Sequence, residues 1–285
     1  MKKILVLVFI AILVMGVKFS SKAQVLEGPP RDGIYDRTTI TQMQPIPYVP
    51  LREADIIWSK RIWRTVDMKE KMNQPFYYPV TPQNGWESFS TIILDAMKEG
   101  SITGYSPISD QFLNPITYKE LMSTLGRKKP YKNLPRNDGT DATYDTVIME
   151  QFIPGDVKKF KIKEDWVFDK QRSQMEGRIL GIGLIRDRYD DNNVIQGDEL
   201  ICWVYFPECR KVLATKEQFN LNNGTAARLS YDDVFMKMMF SSFIYKEENV
   251  YDRTIGEYAA GVDALLEAEK AKAKLFEFEQ SLWEY

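Results

Sequence analysis

Apolar residues recur every three or four positions in two early segments of the chain, as they do on one face of a helix. In residues 85–100 this spacing predicts a helix that ends at Gly100, a typical residue just after a helix. Residues 117–125 predict a second, shorter helix. Residues 101–105, between the two helices, are typical of a strand. These elements together predict a small α+β domain.

The second half of the chain shows the pattern of strands. Apolar residues alternate with polar ones, or form short runs rich in Ile, Leu, Val, Trp and Tyr, in residues 144–153, 157–168, 176–188 and 196–206. The polar residues 190–193 separate the last two segments and are typical of a turn. The pattern therefore predicts a hairpin or a meander sheet.

The last part of the chain returns to a helical period. Residues 230–246 predict a helix, with Ser230 and Asp233 spaced like a capping box at its start. Residues 255–285 predict one long helix of more than about 40 Å, because each helical residue adds roughly 1.5 Å. That length exceeds a small domain, so we expect its end to contact something beyond its own domain.

Composition divides the chain into segments. Residues 126–143 contain two prolines, two glycines and many charges, which is typical of a linker. Residues 24–50 are rich in proline and poor in aliphatic residues, which predicts an extended arm. The predicted fold class is α+β, with an N-terminal domain at 51–135 and a C-terminal domain at 144–285. The second domain holds an antiparallel sheet with helices and ends in the long helix.

Residues 51–73 lack glycine and proline, and we interpret them as a helix that a break near Val66 could divide. Trp58 and Trp63 lie five positions apart, roughly 140° around a helix, so they cannot share one narrow stripe. One interpretation is an amphipathic helix whose arginines face solvent. The other is an interface, because Trp and Arg are enriched at binding hot spots. At a helical period one face would hold Ala54, Trp58, Ile62 and Thr65.

The chain begins with the pattern of a secretory signal peptide. Two lysines precede an apolar run from Ile4 to Val17, and small residues stand before a cut after Ala23. We therefore expect residues 1–23 to be removed. No cysteine lies near the cut, so no lipid anchor is expected there. The leader takes four lysines and no acids with it, which changes 38 basic and 40 acidic residues to 34 and 40, a net charge of −6. An acidic protein is a poor partner for nucleic acid or anionic lipid.

Candidate chemistry is sparse. The chain has no histidine, which removes histidine-based nucleophile pairs and histidine-ligated zinc. Cys202 and Cys209 could form a disulfide or stay as buried thiols. The acidic turn at 190–193 lacks the spacing of a calcium loop. The sequence therefore predicts no catalytic residue, no cofactor and no metal. Asp145-Thr146-Val147 resembles an O-glycosylation acceptor of exported Bacteroidetes proteins, although three residues also match by chance.

We hypothesise that the arm and the predicted helix at 51–73 contact other chains. They combine anchor-type side chains with a segment that cannot fully bury them. The arm could equally be a flexible leader. The candidate interface residues are Tyr35, Ile46, Tyr48, Trp58, Arg61, Trp63 and Arg64.

Three segments carry a resemblance that spans nearly the whole mature chain. They are DGIYDRTTI at 32–40, LREADIIWSKRIWRTVD at 51–67 and SSFIYKEENVYDRTIGEYAAGVDALLEAE at 241–269. These motifs resemble the gliding motility family GldN, also called PorN, of the type IX secretion system.

The resemblance implies a non-enzymatic periplasmic protein. Members are expected to form large rings beneath the outer membrane with a lipoprotein called GldK or PorK, and to meet the periplasmic part of the GldL and GldM (PorM) motor. The family supports protein secretion and, in gliding species, adhesin movement. Two alternatives remain from the residues alone, a carboxylate-based cell-wall glycan hydrolase and a monomeric wall-binding module.

Overall fold

The computed structural model of the protein describes residues 39–125, 127–135, 143–150, 152–189, 194–219 and 228–282. These residues belong to one compact unit, Arg37–Tyr285. The predicted signal peptide, Tyr35 and the first part of the arm lie outside the described residues.

The elements of this unit alternate between strands and short helices. The strands are β1 (Ile56–Asp67), β2 (Gly104–Tyr105), β3 (Pro115–Ile116), β4 (Arg127–Pro135), β5 (Thr143–Glu150), β6 (Val157–Asp169), β7 (Gln174–Tyr189), β8 (Ile195–Tyr205), β9 (Glu217–Gln218), β10 (Leu229–Ser230) and β11 (Phe243–Glu247). The α-helices are α1 (Gln74–Tyr77), α2 (Phe89–Glu99), α3 (Tyr118–Leu125), α4 (Phe206–Thr215), α5 (Tyr231–Met236), α6 (Ile255–Tyr258) and α7 (Val262–Ser281).

A seven-stranded antiparallel sheet organises the fold, in the order β11-β1-β6-β7-β8-β2-β3. The three longest predicted strands form β6, β7 and β8 close to their predicted bounds, because β-branched and aromatic residues suit a sheet that is buried on one face. The predicted α+β class, with an antiparallel sheet and a long C-terminal helix, is confirmed.

The predicted helix at 51–73 is wrong, because its central part is strand β1. The strand pairs with β6 on one side and with β11 on the other. Successive side chains of a strand point to opposite faces of the sheet, so Trp58, Ile62 and Val66 lie on one face. Three isoleucines, two tryptophans and a valine in twelve residues also favour a strand over a helix.

The main core lies on that same face of the sheet. Phe160, Ile162 and Ile182 contribute from the strands, and α2, α4 and α5 cover them. The aromatic centre of this core is formed by Phe76, Phe89, Phe160, Phe206, Phe235 and Phe240. Helix α2 confirms the prediction for residues 85–100, since Ser88 caps its start and Gly100 ends it at φ 79°.

A smaller apolar cluster lies at the β11 end of the same face. Ile62 and Ile244 of the sheet pack there against Ala268, Ala271 and Leu275 of α7. Alanine is small, so it lets a helix backbone approach a sheet closely. Helix α7 is therefore attached to the sheet through a narrow seam of small side chains.

Two predicted helices are interrupted in the structure. The predicted helix at 230–246 becomes α5 and then strand β11, and only its capping box between Ser230 and Asp233 is confirmed. The predicted helix at 255–285 is divided into α6 and α7. Gly261, at φ 58°, lies between them in a backbone conformation that glycine adopts easily.

The predicted linker at 126–143 contributes its first part to strand β4, which pairs with β5 in a separate two-stranded sheet. Thr146 lies on β5. Strand β1, from before this segment, and β6, from after it, are neighbours in the large sheet. The two domains predicted at 51–135 and 144–285 thus share one sheet.

Cys202 and Cys209 are free thiols, and both are buried. Cys202 lies on β8 and Cys209 on helix α4. Burial raises the pKa of Cys202 to about 12, so that its thiol stays protonated at neutral pH. Among the described residues, no helix combines the length and the apolarity needed to cross a membrane.

Candidate interaction surface

The described end of the arm is fastened to the body of the protein at Tyr48. The tyrosine ring lies 4.9 Å from the guanidinium of Arg178 and 4.5 Å from that of Arg210. The same two arginines donate hydrogen bonds of 2.6 Å to the carbonyl oxygens of Val49 and Ile46. Burial raises the pKa of the Tyr48 hydroxyl, against the opposing effect of Arg210. The segment is therefore held in place, while the Ile46 side chain stays 73% exposed.

Trp63 of β1 is buried, with 6% of its surface exposed. Its indole N–H donates a hydrogen bond of 2.7 Å to Asp110, and the ammonium of Lys246 lies 4.5 Å from its ring. Lys163 lies 3.3 Å from the same Asp110 carboxylate. Burial alone would raise the pKa of Asp110, but the Trp63 and Lys163 hydrogen bonds outweigh it and hold the pKa below its ordinary value.

The two arginines of the predicted interface form ion pairs with strand β6. Arg61 binds Asp165 through two hydrogen bonds of 2.6 and 2.9 Å. Arg64 donates to Glu164, whose side chain is fully buried. The indole N–H of Trp166 donates to the same Glu164 oxygen at 2.8 Å. Removing one member of a buried ion pair leaves the other charge buried without its counterion, which is strongly destabilising.

Trp58 connects β1 to the C-terminal helix. Its ring stacks on Phe278 of α7, with 4.5 Å between the centroids and 25° between the planes. Aromatic pairs in this offset range are worth about 0.5–1.5 kcal/mol beyond their buried area. Trp58 therefore helps to hold α7 on the sheet.

The seven predicted interface residues are thus not gathered on one free surface. Ile46 and Tyr48 lie together on the fastened arm, whereas the four residues of β1 contact partners within the chain. The interface was predicted on the premise that residues 51–73 cannot fully bury their side chains. That premise is wrong for Trp63, which the fold buries. Whether any of the seven also contacts another chain stays a prediction.

The structure shows an apolar surface that was not among those candidates. It is the face of α7 turned away from the sheet, here called the outer face of α7, where large side chains are more than half exposed. They are Val262 at 71%, Leu265 at 60%, Leu266 at 53% and Phe276 at 60%. The sequence already contained a sign of this surface, because these four residues form a second apolar stripe on the helix, opposite the stripe that contains Leu275.

The outer face of α7 offers contact area rather than chemistry. Exposed apolar patches on soluble proteins commonly mark binding sites. Within the described part of the chain, no group of three or more Cys, Asp or Glu residues is arranged to hold a metal ion. The surface is therefore suited to binding another protein.

Comparison with known proteins gives one family. The family model described as "Gliding motility associated protein GldN" matches residues 51–284. The match includes β1, the whole sheet and α7. No curated protein matches the chain.

Proposed function

This chain belongs to the GldN family of gliding motility associated proteins, and on that premise we propose that it is a non-enzymatic structural subunit of a periplasmic ring. The ring is part of the type IX secretion and gliding machinery. It forms with a GldK or PorK lipoprotein beneath the outer membrane, and it contacts the GldL and GldM motor.

The exposed outer face of α7 is the observation that supports an assembly role. Four large apolar side chains stand in solvent on one side of a helix whose other side is packed on the protein's own sheet. Burying the part of each that is still exposed would contribute roughly 1–2 kcal/mol, since full burial of such a side chain is worth about 1.5–3 kcal/mol. A subunit that is covered by neighbours in its working state would recover that free energy.

In this proposal the lipoprotein anchors the chain at the outer membrane, and the leader predicted at residues 1–23 directs export of the chain. Contact with a lipidated partner would keep such a chain at the outer membrane. The exposed Ile46 side chain on the fastened arm offers a surface for such a contact.

Co-expression with the lipoprotein tests the proposal. Size-exclusion chromatography with light scattering should show a large hetero-oligomer, and electron microscopy should show closed rings. A chain that stays monomeric and does not bind the lipoprotein would contradict the proposal. Hydrolysis of purified peptidoglycan by the chain would contradict it as well. The mature chain without the lipoprotein is the control for aggregation.

Two deletions separate the contributions of the arm. Removing residues 24–50 takes away the Tyr48 contacts with Arg178 and Arg210, whereas removing residues 24–45 keeps them. We expect both deletions to weaken assembly while circular dichroism shows a folded protein. Unchanged ring formation in both would show that the arm is not needed.

A further inference from the structure

Helix α7 has two faces with different tasks. The inward face packs on the sheet through Ala268, Ala271, Leu275 and Phe278. The outer face contains Val262, Leu265, Leu266, Glu269, Lys272, Ala273 and Phe276, all of them exposed. Since the inward face is already occupied, the outer face can bind a partner without disturbing the fold.

The outer face repeats every seven residues, as in a coiled coil. Val262, Glu269 and Phe276 are seven positions apart and form one row. Leu265 and Lys272, also seven apart, begin the adjacent row. Rows at this spacing meet the equivalent rows of a second helix when the two helices pack along their length. The centre of the surface is charged, Leu265 and Phe276 lie on either side of it, and the exposed Glu279 continues the adjacent row.

Glu269 and Lys272 are the unusual members of this surface. Both are exposed, and among the residues that the structure describes neither has an ion-pair partner. A charge in the middle of an apolar stripe weakens most pairings, but it also fixes which pairing is allowed. These two residues therefore restrict the orientation of any partner helix.

A second copy of α7 satisfies the restriction in only one orientation. In a parallel pair, each row meets itself, so Glu269 would face Glu269 and Lys272 would face Lys272. In an antiparallel pair the two rows exchange, so Glu269 of each copy meets Lys272 of the other. The same shift places Leu265 of each copy against Phe276 of the other. Opposite charges are then paired at the centre, and a Leu265–Phe276 pair lies on each side of them.

We infer that α7 is a self-association site, in which two copies of this chain pair antiparallel through their outer faces. The contact is two-fold symmetric, because each copy supplies both members of the charge pair. The inference rests on the proposed function only in assigning the pair to a larger assembly. It names a contact within that assembly that needs no lipoprotein.

A charge-reversal cycle on the mature chain, residues 24–285, tests the inference by sedimentation equilibrium. Glu269→Lys alone and Lys272→Glu alone each bring like charges together, and each should raise the dissociation constant at least about tenfold. The double variant restores opposite charges and should return to within about threefold of the wild type. Lys274→Glu, a reversal elsewhere on α7, is the matched control and should leave the constant unchanged.

Crosslinking checks the orientation independently. Proteins carrying Leu265→Cys and Phe276→Cys should form a disulfide when they are mixed, whereas Leu265→Cys alone should not. In a parallel pair Leu265→Cys alone would form the disulfide, and the mixed pair of Leu265→Cys and Phe276→Cys would not. The native Cys202 and Cys209 are buried and do not compete.

The inference is overturned by a wild-type chain that stays monomeric at all concentrations, by a double variant no better than the single ones, or by self-crosslinking of Leu265→Cys. These results are distinct from failure of the proposed function. If α7 pairs as described but no ring forms with the lipoprotein, the ring is wrong and the pairing stands. If rings form with the lipoprotein while the wild-type chain alone shows no pairing, only the pairing is wrong.

Discussion

Strand β1 and helix α7 both carry large side chains, but β1 buries or pairs the ones that are typical of interfaces, whereas α7 exposes ones that are typical of cores. β1 carries tryptophan and arginine, the residue types most enriched at interfaces, yet Trp63 is buried and Arg64 is paired with Glu164 inside the protein. α7 carries valine, leucine and phenylalanine, which are common in cores, and exposes them. Residue type alone therefore does not mark a binding surface. What marks it is whether the fold already supplies each side chain with a partner.

The largest effect on stability is expected from the buried ion pair between β1 and β6. Arg64→Met would leave the Glu164 carboxylate buried without its cation, because both side chains lie inside the protein. We expect a loss of about 3 kcal/mol in the free energy of unfolding. Urea denaturation measures this value. The double variant Arg64→Met with Glu164→Gln should recover most of the loss, because the amide oxygen still accepts from Trp166.

The inward face of α7 should show a smaller effect. Leu275→Ala removes a buried leucine from the small cluster beneath the helix, and we expect a loss of about 2 kcal/mol. Tryptophan fluorescence should report the change as well, because Trp58 stacks on the same helix at Phe278. Wild-type stability in this variant would show that α7 contributes little to the fold.

Trp63→Phe should cost about 1 kcal/mol through the lost hydrogen bond to Asp110. The effect should depend on pH. The pKa of Asp110 is held below its ordinary value of 3.8 in the folded protein, so the stability it provides is present above that value. It is lost as the pH falls through the depressed pKa. The difference between variant and wild type should shrink accordingly in acid unfolding, and a pH-independent difference would contradict this role.

The outer face of α7 should give the smallest change in stability. Leu266→Gln replaces a side chain that is 53% exposed, and we expect the free energy of unfolding to change by less than about 0.5 kcal/mol. Self-association should nevertheless weaken. If the same substitution unfolds the protein, α7 is turned the other way and the comparison with β1 fails.

Prediction from sequence succeeded where the local pattern and the final environment agree. Strands β6, β7 and β8 are long and rich in β-branched residues, and α2 is bounded by a good cap and a good stop. Tertiary contacts did not need to overrule these preferences. The capping box at Ser230 is correct for the same reason, because it depends on residues only three apart.

The sequence prediction failed where two periods fit the same residues. In β1, Trp58 and Ile62 are four apart, which places them on one face of either a helix or a strand. The signal that favoured a strand was composition, because three isoleucines, two tryptophans and a valine stand among the twelve residues of β1. Similarly, the methionines and phenylalanines after Ser230 fit a helix, but the chain turns at Met238, which has a φ of 50°, and continues as β11.

The candidate interface could be predicted only in part. The length of the predicted C-terminal helix led us to expect a contact beyond its own domain, which stays a prediction, but the sequence did not show which of the two apolar stripes is exposed. That choice depends on Ile62 and Ile244, which lie almost 200 residues apart in the chain and meet only in the folded sheet. No local pattern contains such information.

The alanine seam beneath α7 has a consequence for exchange of amide hydrogens with solvent. Ala268, Ala271, Leu275 and the Trp58–Phe278 stack hold the helix along one narrow strip, so α7 should exchange in a local opening before the hydrogen-bonded sheet does. Pairing with another copy would oppose that opening by mass action. Deuterium uptake in residues 262–281 should therefore slow with rising protein concentration, while uptake in β6 and β7 stays constant. Folding and assembly would then be thermodynamically linked at the last helix.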